Sequence, residues 1–198
     1  MYKKNVLIKL LILFLFTSTT VLGQVKNYAG TIVDIFDNAM REVLITNDRT
    51  QETVLSSCKG KFSIKANKGD RLTFTKENYL LHNQVIKNGR KMAVLLNFDT
   101  QLIRSKIYND YVSLHDYEAP LDEVFCQTLF IIDGNPFNPN NDTGRFLNLE
   151  PEAVAKVDVL KGKIASDMFG NAARNGVVFI HTSCIYQQRA KFPEAYEE

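Results

Sequence analysis

The side chains in this sequence that could carry out chemistry are three histidines, three cysteines and one loop rich in carboxylates and amides. His82, His115 and His181 are widely spaced and share no motif. The sequence also lacks a His-Glu-x-x-His zinc motif, a Cys-x-x-Cys pair, a Gly-x-Ser-x-Gly nucleophile turn and a phosphate-binding loop. Because an enzyme needs acids, bases, nucleophiles or metals close together, we predict a protein with no catalytic residues that is not an enzyme.

The oxygen-rich loop is the nearest approach to a metal site. Asp133 and Asp142 flank Asn138, Asn140 and Asn141, and calcium prefers such oxygen ligands. The spacing does not match an EF-hand, and asparagine is an ordinary turn former. We therefore predict no metal site and no cofactor.

The cysteines are odd in number, so at least one of them is unpaired. Cys126 precedes one apolar strand candidate, and Cys184 follows another. If those strand ends meet, Cys126 and Cys184 can form a disulfide. This pairing is a hypothesis that thiol counting tests, and it leaves Cys58 free.

Residues 1–23 have the pattern of a secretory signal peptide. Basic residues come first, an unbroken apolar run follows at 10–16, and Gly23 is suited to cleavage. The run is shorter than the roughly 20 apolar residues that a spanning helix needs. No cysteine near the cleavage point offers a lipid anchor. We expect an exported protein, periplasmic or associated with the outer membrane, with no transmembrane span in the mature chain.

Length and charge narrow the functional classes. The 198 residues allow one or two domains. The formal net charge is +2, and removal of the signal peptide with its three lysines leaves 21 basic against 22 acidic residues. A neutral mature chain argues against a nucleic-acid partner, since such proteins usually carry a strong basic excess.

Residues 28–98 alternate short β-type segments with turn signals. Apolar residues two apart, such as Phe62 and Ile64, point to one face of a strand. The candidate strands are 28–35, 42–46, 52–56, 61–65, 71–75, 82–86 and 91–96. Seven short strands in so few residues predict an all-β antiparallel sandwich.

The segment at 99–124 is a connector. Residues 99–117 fit either a helix or an irregular segment, and residues 118–124, which include Pro120, are typical of a linker. Residues 185–198 are polar and predict a frayed tail.

Residues 125–184 predict a small α+β domain. Strand candidates lie at 128–132, 157–160 and 177–182, with a short helix at 163–169. The segment between the last two strands leaves room for a helical crossover, so these strands can pair in parallel. The predicted fold class is therefore mixed.

Three segments of the first half resemble a known domain family. They are 30–34 (Gly-Thr-Ile-Val-Asp), 60–64 (Gly-Lys-Phe-Ser-Ile), and 69–74 followed by Asn78-Tyr79. Together they resemble the carboxypeptidase-regulatory-like domain, a transthyretin-type β-sandwich. Asn78 replaces the family's glycine, and asparagine tolerates positive φ. The resemblance implies no zinc chemistry, because this domain is not the catalytic part of carboxypeptidases.

A longer resemblance covers most of the second half. It is carried by segments at 129–137, 149–154, 157–162 and 165–180. These are similar, in order and spacing, to the end of the plug domain of TonB-dependent outer-membrane receptors, especially the starch-utilisation type. The resemblance implies structural roles for eight residues: Asp133, Gly134, Pro136, Leu160, Gly162, Gly170, Asn175 and Gly176.

The sequence departs from that receptor family after the plug. The chain ends shortly after Ile180, without the alternating strands that build a barrel. We therefore expect a non-catalytic interaction module of the bacterial envelope that cannot transport alone. Its expected partner is an envelope protein, such as an outer-membrane receptor.

Two alternatives stay open. One is a module that binds carbohydrate or another small ligand, with Tyr79, Tyr108, Tyr111 and Tyr117 as a stacking surface. The other is a decayed receptor remnant without a function of its own.

Overall fold

Two small β-sheets face each other in the first half of the chain. The computed structural model describes residues 25–89, 91–114, 128–137 and 149–184. The strands of this half are β1 (Lys26–Val33), β2 (Leu44–Asn47), β3 (Thr53–Leu55), β4 (Lys61–Ala66), β5 (Arg71–Thr75), β6 (His82–Val85) and β7 (Lys91–Leu95). One sheet has the order β4-β1-β7, and the other has the order β3-β2-β5-β6. Every strand predicted in residues 28–98 is present, and no strand end shifts by more than two residues.

Alternating apolar residues join the two sheets. In β4, Phe62, Ile64 and Ala66 are buried, while the residues between them are exposed. The ring of Phe62 meets that of Phe74, in the opposite sheet, edge-on at a centroid distance of 5.6 Å. Because the side-chain period of a strand is two, one face of each sheet fills the core. The predicted sandwich is confirmed.

One strand pair of the sandwich is parallel, contrary to the antiparallel prediction. β1 pairs antiparallel with β4, but β7 runs parallel to it, with Ile32 beside Val94. β7 follows β6, which belongs to the opposite sheet, so the chain crosses between sheets before β7 begins. A hairpin imposes an antiparallel direction, whereas a crossover does not.

The second half contains one mixed sheet and, among the described residues, two α-helices. The elements are α1 (Thr100–Leu114), β8 (Leu129–Ile132), β9 (Asn135–Phe137), β10 (Val154–Leu160), α2 (Gly162–Phe169) and β11 (Val177–Thr182). The sheet has the order β10-β11-β8-β9, which confirms the mixed fold with an α+β second half. The alternatives left open at 99–117 were a helix and an irregular segment, and residues 100–114 of this range form the helix α1. β9 is a short strand where the sequence suggested only a loop.

β10 and β11 pair antiparallel, so the parallel pairing considered for them is wrong. Leu160, the last residue of β10, lies opposite Val177, the first residue of β11. α2 therefore leaves and re-enters the sheet at the same end, inside a long hairpin connection, whereas a crossover would return the chain at the other end. The parallel neighbour of β11 is β8, with Val177 beside Leu129.

The two halves of the chain share a second hydrophobic core. Phe179 of β11 is almost fully buried, and its ring centroid lies 4.7 Å from that of Phe36 and 5.2 Å from that of Phe98. Phe36 and Phe98 come from the first half. Phe169 of α2 lies 6.1 Å from Phe179, and aromatic pairs at such distances are favourable. This cluster fixes the third sheet against the sandwich.

Some predictions lie outside the described residues. These concern the signal peptide at 1–23, the linker at 118–124, the part of the asparagine-rich loop from residue 138 onward, and the tail at 185–198. The division into domains at 28–98 and 125–184 also stays a prediction. In the described part of the chain, no helix is long and apolar enough to cross a membrane.

Candidate functional site

Asp133 ties the turn after β8 to the end of β11. Its Oδ1 accepts a hydrogen bond of 2.9 Å from the Thr182 N–H, and its Oδ2 accepts one of 2.6 Å from the Thr182 hydroxyl. Its own N–H donates to the carbonyl of Ile180 at 2.9 Å. The sequence predicted the turn but not these contacts, because Thr182 lies 49 positions further along the chain.

Gly134 lies against Tyr79 of the sandwich half. Its φ is 85°, and a Cβ built at this position would lie 2.7 Å from Cε2 of Tyr79. The Tyr79 ring stacks on Phe98 at a centroid distance of 4.6 Å. Burial raises the pKa of the Tyr79 phenol, and the nearby carboxylates of Asp34 and Asp133 raise it further. Tyr79 is therefore a neutral side chain packed at the junction of the two halves.

A pair of asparagines adds a polar contact beside Tyr79. The Nδ2 of Asn78 donates to Oδ1 of Asn135 at 2.8 Å, which joins the sandwich half to β9. Asn78 is buried and has a φ of 64°. Asn78 therefore adopts a positive φ, a conformation that asparagine tolerates. Its Oδ1 is the buried side-chain oxygen that has no hydrogen-bond partner in the described part of the chain.

A polar network links a sandwich loop to β10 and β11. The Nδ2 of Asn38 lies 3.0 Å from Oδ2 of Asp158 and 3.0 Å from Nε2 of His181. The ammonium of Lys156 donates to Oδ1 of Asn38 at 2.8 Å and lies 3.1 Å from Asp158. Burial alone would raise the pKa of Asp158, but the hydrogen bonds from Asn38 and Lys156 outweigh it and hold that pKa below its usual value. The ionised carboxylate of Asp158 is the centre of this contact.

The same network contains a histidine beside a carboxylate, an arrangement that can act as a general base. Nε2 of His181 lies 3.2 Å from Oδ2 of Asp158. The nearest hydroxyl in sequence, that of Thr182, is bonded to Asp133. The geometry of these side chains therefore fits a structural link between the halves.

Cys184 forms a disulfide with Cys58, so the proposed Cys126–Cys184 pairing is wrong. The Cα atoms of Cys58 and Cys184 are 5.8 Å apart across 126 positions. The pairing with Cys126 assumed that the start of β8 and the end of β11 meet. Those strands are parallel neighbours, so the start of one and the end of the other lie at opposite ends of the strand pair. Cys126 itself lies outside the described residues.

Leu160 and Gly176 close the connection between β10 and β11. Gly176 is buried with a φ of 97°, and a Cβ there would lie 2.9 Å from the carbonyl oxygen of Leu160. The Gly176 carbonyl accepts a hydrogen bond from the N–H of Leu129 at 3.2 Å. Only glycine combines this φ with this close approach at low cost.

The other four motif residues occupy turns and an edge strand. Gly162 begins α2, one residue before the predicted start, and Gly170 follows its last residue, which agrees with the predicted helix end at residue 169. Pro136 lies in β9 opposite Ile131. Asn175 is exposed in the turn before β11. These placements are structural, and none of the four joins a catalytic arrangement among the described residues.

Arg104 of α1 supports the end of α2, which sequence analysis missed. Its Nη2 donates to the carbonyls of Asp167 and Met168 at 3.0 Å and 2.7 Å. The last carbonyls of a helix have no partner within it. Because the residues are more than 60 positions apart, no local pattern signals the contact.

Residues that could hold a metal ion or stack on a sugar are few in the described part of the chain. The described residues contain no group of three or more His, Cys, Asp or Glu side chains that could hold a metal ion. Of the four tyrosines considered for stacking, Tyr79 is packed in the junction and Tyr108 is about half exposed. The side chain of Tyr111 and all of Tyr117 lie outside the described part. Tyr79 is partly buried and already stacks on Phe98.

A cleft of about 890 Å³ opens at the junction. Asp34, Met40 and Lys76 line it from the sandwich half, and Pro136 and Lys156 line it from the second half. Its walls thus mix acidic, basic and apolar side chains, and this lining favours no single class of ligand.

Three exposed leucines lie on the outer face of the β3-β2-β5-β6 sheet. Leu55 of β3 lies opposite Leu44 of β2, which lies opposite Thr75 of β5. Thr75 and Leu81 line one shallow depression. The exposed fractions of Leu44, Leu55 and Leu81 are 39%, 61% and 60%. We call these three residues the leucine row, in which Thr75 lies between Leu44 and Leu81. Several exposed apolar side chains on one face mark an interaction site more often than a single exposed leucine does.

Comparison with known proteins gives only distant similarity. No family model matches the chain, and no curated protein matches it. Part of the chain is similar to the Bacillus anthracis TIE protein, with 13% identity and a TM-score of 0.29, over 37% of this chain and 16% of that one. Part is similar to the group B streptococcus pilus 2b backbone protein, with 9% identity and a TM-score of 0.28, over 38% of this chain and 42% of that one. The chain spans less than half the length of either, and similarity at this level carries no argument about function.

Proposed function

We propose that the chain is an exported, non-catalytic interaction module of the bacterial envelope. In this proposal it binds an envelope protein, expected to be an outer-membrane receptor of the TonB-dependent type, and does not transport alone. The observation that carries the proposal is the leucine row, which leaves three large apolar side chains on one face of the sandwich open to solvent.

The leucine row lies on a well-supported surface. The strands beneath it bury Ile45, Leu72 and Phe74 on their inner face, and β2 and β5 are hydrogen-bonded along their length. A surface that is already ordered loses little conformational entropy when it binds. An apolar segment of a partner that covers the three leucines removes their area from water, which favours association.

The disulfide supports the exported part of the proposal. Cys58 and Cys184 belong to different halves and are bonded. Disulfides persist in oxidising compartments, including the periplasm, and are rare in the cytosol. The bond also holds the plug-like half against the sandwich, so a partner meets both halves as one surface.

Capture from envelope extracts tests the proposal. The wild-type chain should recover the same envelope protein reproducibly after crosslinking, and the double variant Leu55→Ser, Leu81→Ser should lose most of it. The matched control is Leu95→Ser, on the outer face of the other sheet and 49% exposed, which should bind as the wild type does. Equal recovery by both variants, or recovery of no protein by the wild type, would count against the proposal.

A further inference from the structure

β10 is the end strand of the third sheet, and within the described ranges no strand pairs with its outer edge. It is seven residues long, and no proline interrupts it. Its pairing with β11 shifts register between Val154 and Lys156 and is regular from Lys156 to Leu160. In an antiparallel ladder, alternate residues direct their N–H and C=O groups to opposite sides. About half of the backbone groups of β10 therefore point away from β11, and an open edge of this kind is a template for another strand.

The side chains of β10 differ between its two faces. Val157 lies opposite Ile180, and Val159 lies opposite Val178, on the face remote from Phe179. Both valines are 50% exposed. Lys156 and Asp158 alternate with them and lie on the inner face, where both contact Asn38.

The sequence of β10 is complementary to itself when a second copy runs antiparallel. With Val157 opposite its own counterpart, Lys156 of each copy lies opposite Asp158 of the other, within the regular part of the strand. Opposite charges directly across a strand pair stabilise it, and like charges destabilise it. A pairing centred on Lys156 or on Asp158 would instead place two identical charges face to face.

We propose that the chain forms a symmetric dimer through β10, with the two-fold axis at Val157. The two sheets then form one continuous sheet of eight strands. The valines of the two copies cover each other on the outer face, and two Lys156–Asp158 pairs form on the inner face. This surface is separate from the leucine row. A negative result for the dimer can therefore be told apart from a negative result for binding of the envelope partner.

Cysteine crosslinking tests the register of the pairing. Directly opposed residues have Cα atoms about 4.5–5.5 Å apart, which is a distance that a disulfide spans. In a Cys126→Ser background, Val157→Cys should therefore give a covalent dimer under mild oxidation. Val159→Cys is the matched control, because Val159 is equally exposed but lies about 13 Å from its counterpart in this register. Crosslinking by the Val159→Cys variant as efficient as that by the Val157→Cys variant would contradict the proposal.

Sedimentation of the exported chain over a range of concentrations tests the charge pairing. The wild type should dimerise, and either Lys156→Asp or Asp158→Lys should weaken the dimer about tenfold or more, because two cross-strand pairs become repulsive together. A mixture of the two single variants should form heterodimers, since the opposite charges then face each other again. This rescue cannot come from misfolding of either variant.

Val157→Lys supplies a variant outside the polar network, and it should also abolish the dimer, whereas Val85→Lys on the edge strand β6 should not. A wild type that stays monomeric overturns the proposal, as does a dimer that survives Val157→Lys. If the Val157→Cys variant crosslinks to another envelope protein and forms no dimer, the edge of β10 binds that protein instead. This result also overturns the proposal.

Discussion

Phe36 and Phe179 belong to different halves of the chain, and their ring centroids lie 4.7 Å apart. Phe36 follows β1 of the sandwich, and Phe179 is in the middle of β11. The contact is therefore part of the core that joins the two sequence segments. It explains why the two halves, which resemble separate domains in sequence, pack as one body.

Replacement of Phe179 tests this shared core. Phe179→Ala should lower the free energy of unfolding by about 3–5 kcal/mol, because it removes a buried aromatic ring and leaves a cavity. Val159 lies on the opposite face and is half exposed, so Val159→Ala should lower the free energy of unfolding much less. Urea unfolding followed by circular dichroism measures both. Similar losses for the two variants would contradict the role of Phe179.

Gly134 should tolerate no side chain because of Tyr79. Gly134→Ala places a methyl group 2.7 Å from the ring and keeps a positive φ, so we expect a loss of roughly 2 kcal/mol or more. Gly162→Ala is the matched control, since its φ is also positive but a Cβ there meets nothing within 4 Å. The difference between the two variants in thermal or urea unfolding measures the contact with Tyr79. No difference would show that φ alone sets the cost.

The stability of the sandwich should fall at low pH through Asp70. Hydrogen bonds from Arg49, at 2.6 Å and 2.9 Å, outweigh burial and lower the pKa of Asp70 to about 2. A carboxyl whose pKa is lower in the folded state stabilises it above the unfolded pKa of about 4, and this stabilisation is lost as the pH falls towards about 2.

Urea unfolding of the wild type and of Asp70→Asn at several pH values isolates this contribution. Between about pH 5 and pH 2, the free energy of unfolding of the wild type should fall by up to about 2 kcal/mol more than that of the variant. This difference should be smaller at high salt, because the Arg49 side chain is half exposed. Parallel curves for the two proteins would exclude Asp70 as the source.

The disulfide determines how many free thiols the protein has. The exported chain should show one free thiol before reduction and three after it, and peptide mapping should join Cys58 to Cys184. Cys58→Ser should lower the free energy of unfolding by about 2–5 kcal/mol, as expected for a native disulfide that closes a long loop. Cys126→Ser should keep both the disulfide and the stability. A mapped Cys126–Cys184 bond would contradict this assignment.

Local features of the fold were predictable from the sequence. Alternating residues such as Phe62 and Ile64 defined the sandwich strands, and Gly170 marked the end of α2. Direction within hairpins follows from chain connectivity. The same rule does not apply to β7, because its parallel pairing with β1 depends on a crossover between sheets.

Contacts at the junction were not predictable from local patterns. Asn38 and His181 are 143 positions apart, and each is an ordinary polar residue in its own segment. The Cys58–Cys184 bond likewise joins residues 126 positions apart, and it depends on how the end of β11 packs against the sandwich, which strand pattern alone does not determine. The resemblances to the regulatory-like and plug families stay predictions, because no family model matches the chain.

Site-specific photocrosslinking in bacterial cells with an outer membrane tests the proposed interaction most directly. A photoreactive residue at position 81 in the leucine row should form an adduct with one envelope protein, identified by mass spectrometry. The same residue at position 95, on the other sheet and 49% exposed in the wild type, should give little of that adduct. No adduct from position 81, or equal yields from both positions, would contradict an interaction module that works through the leucine row.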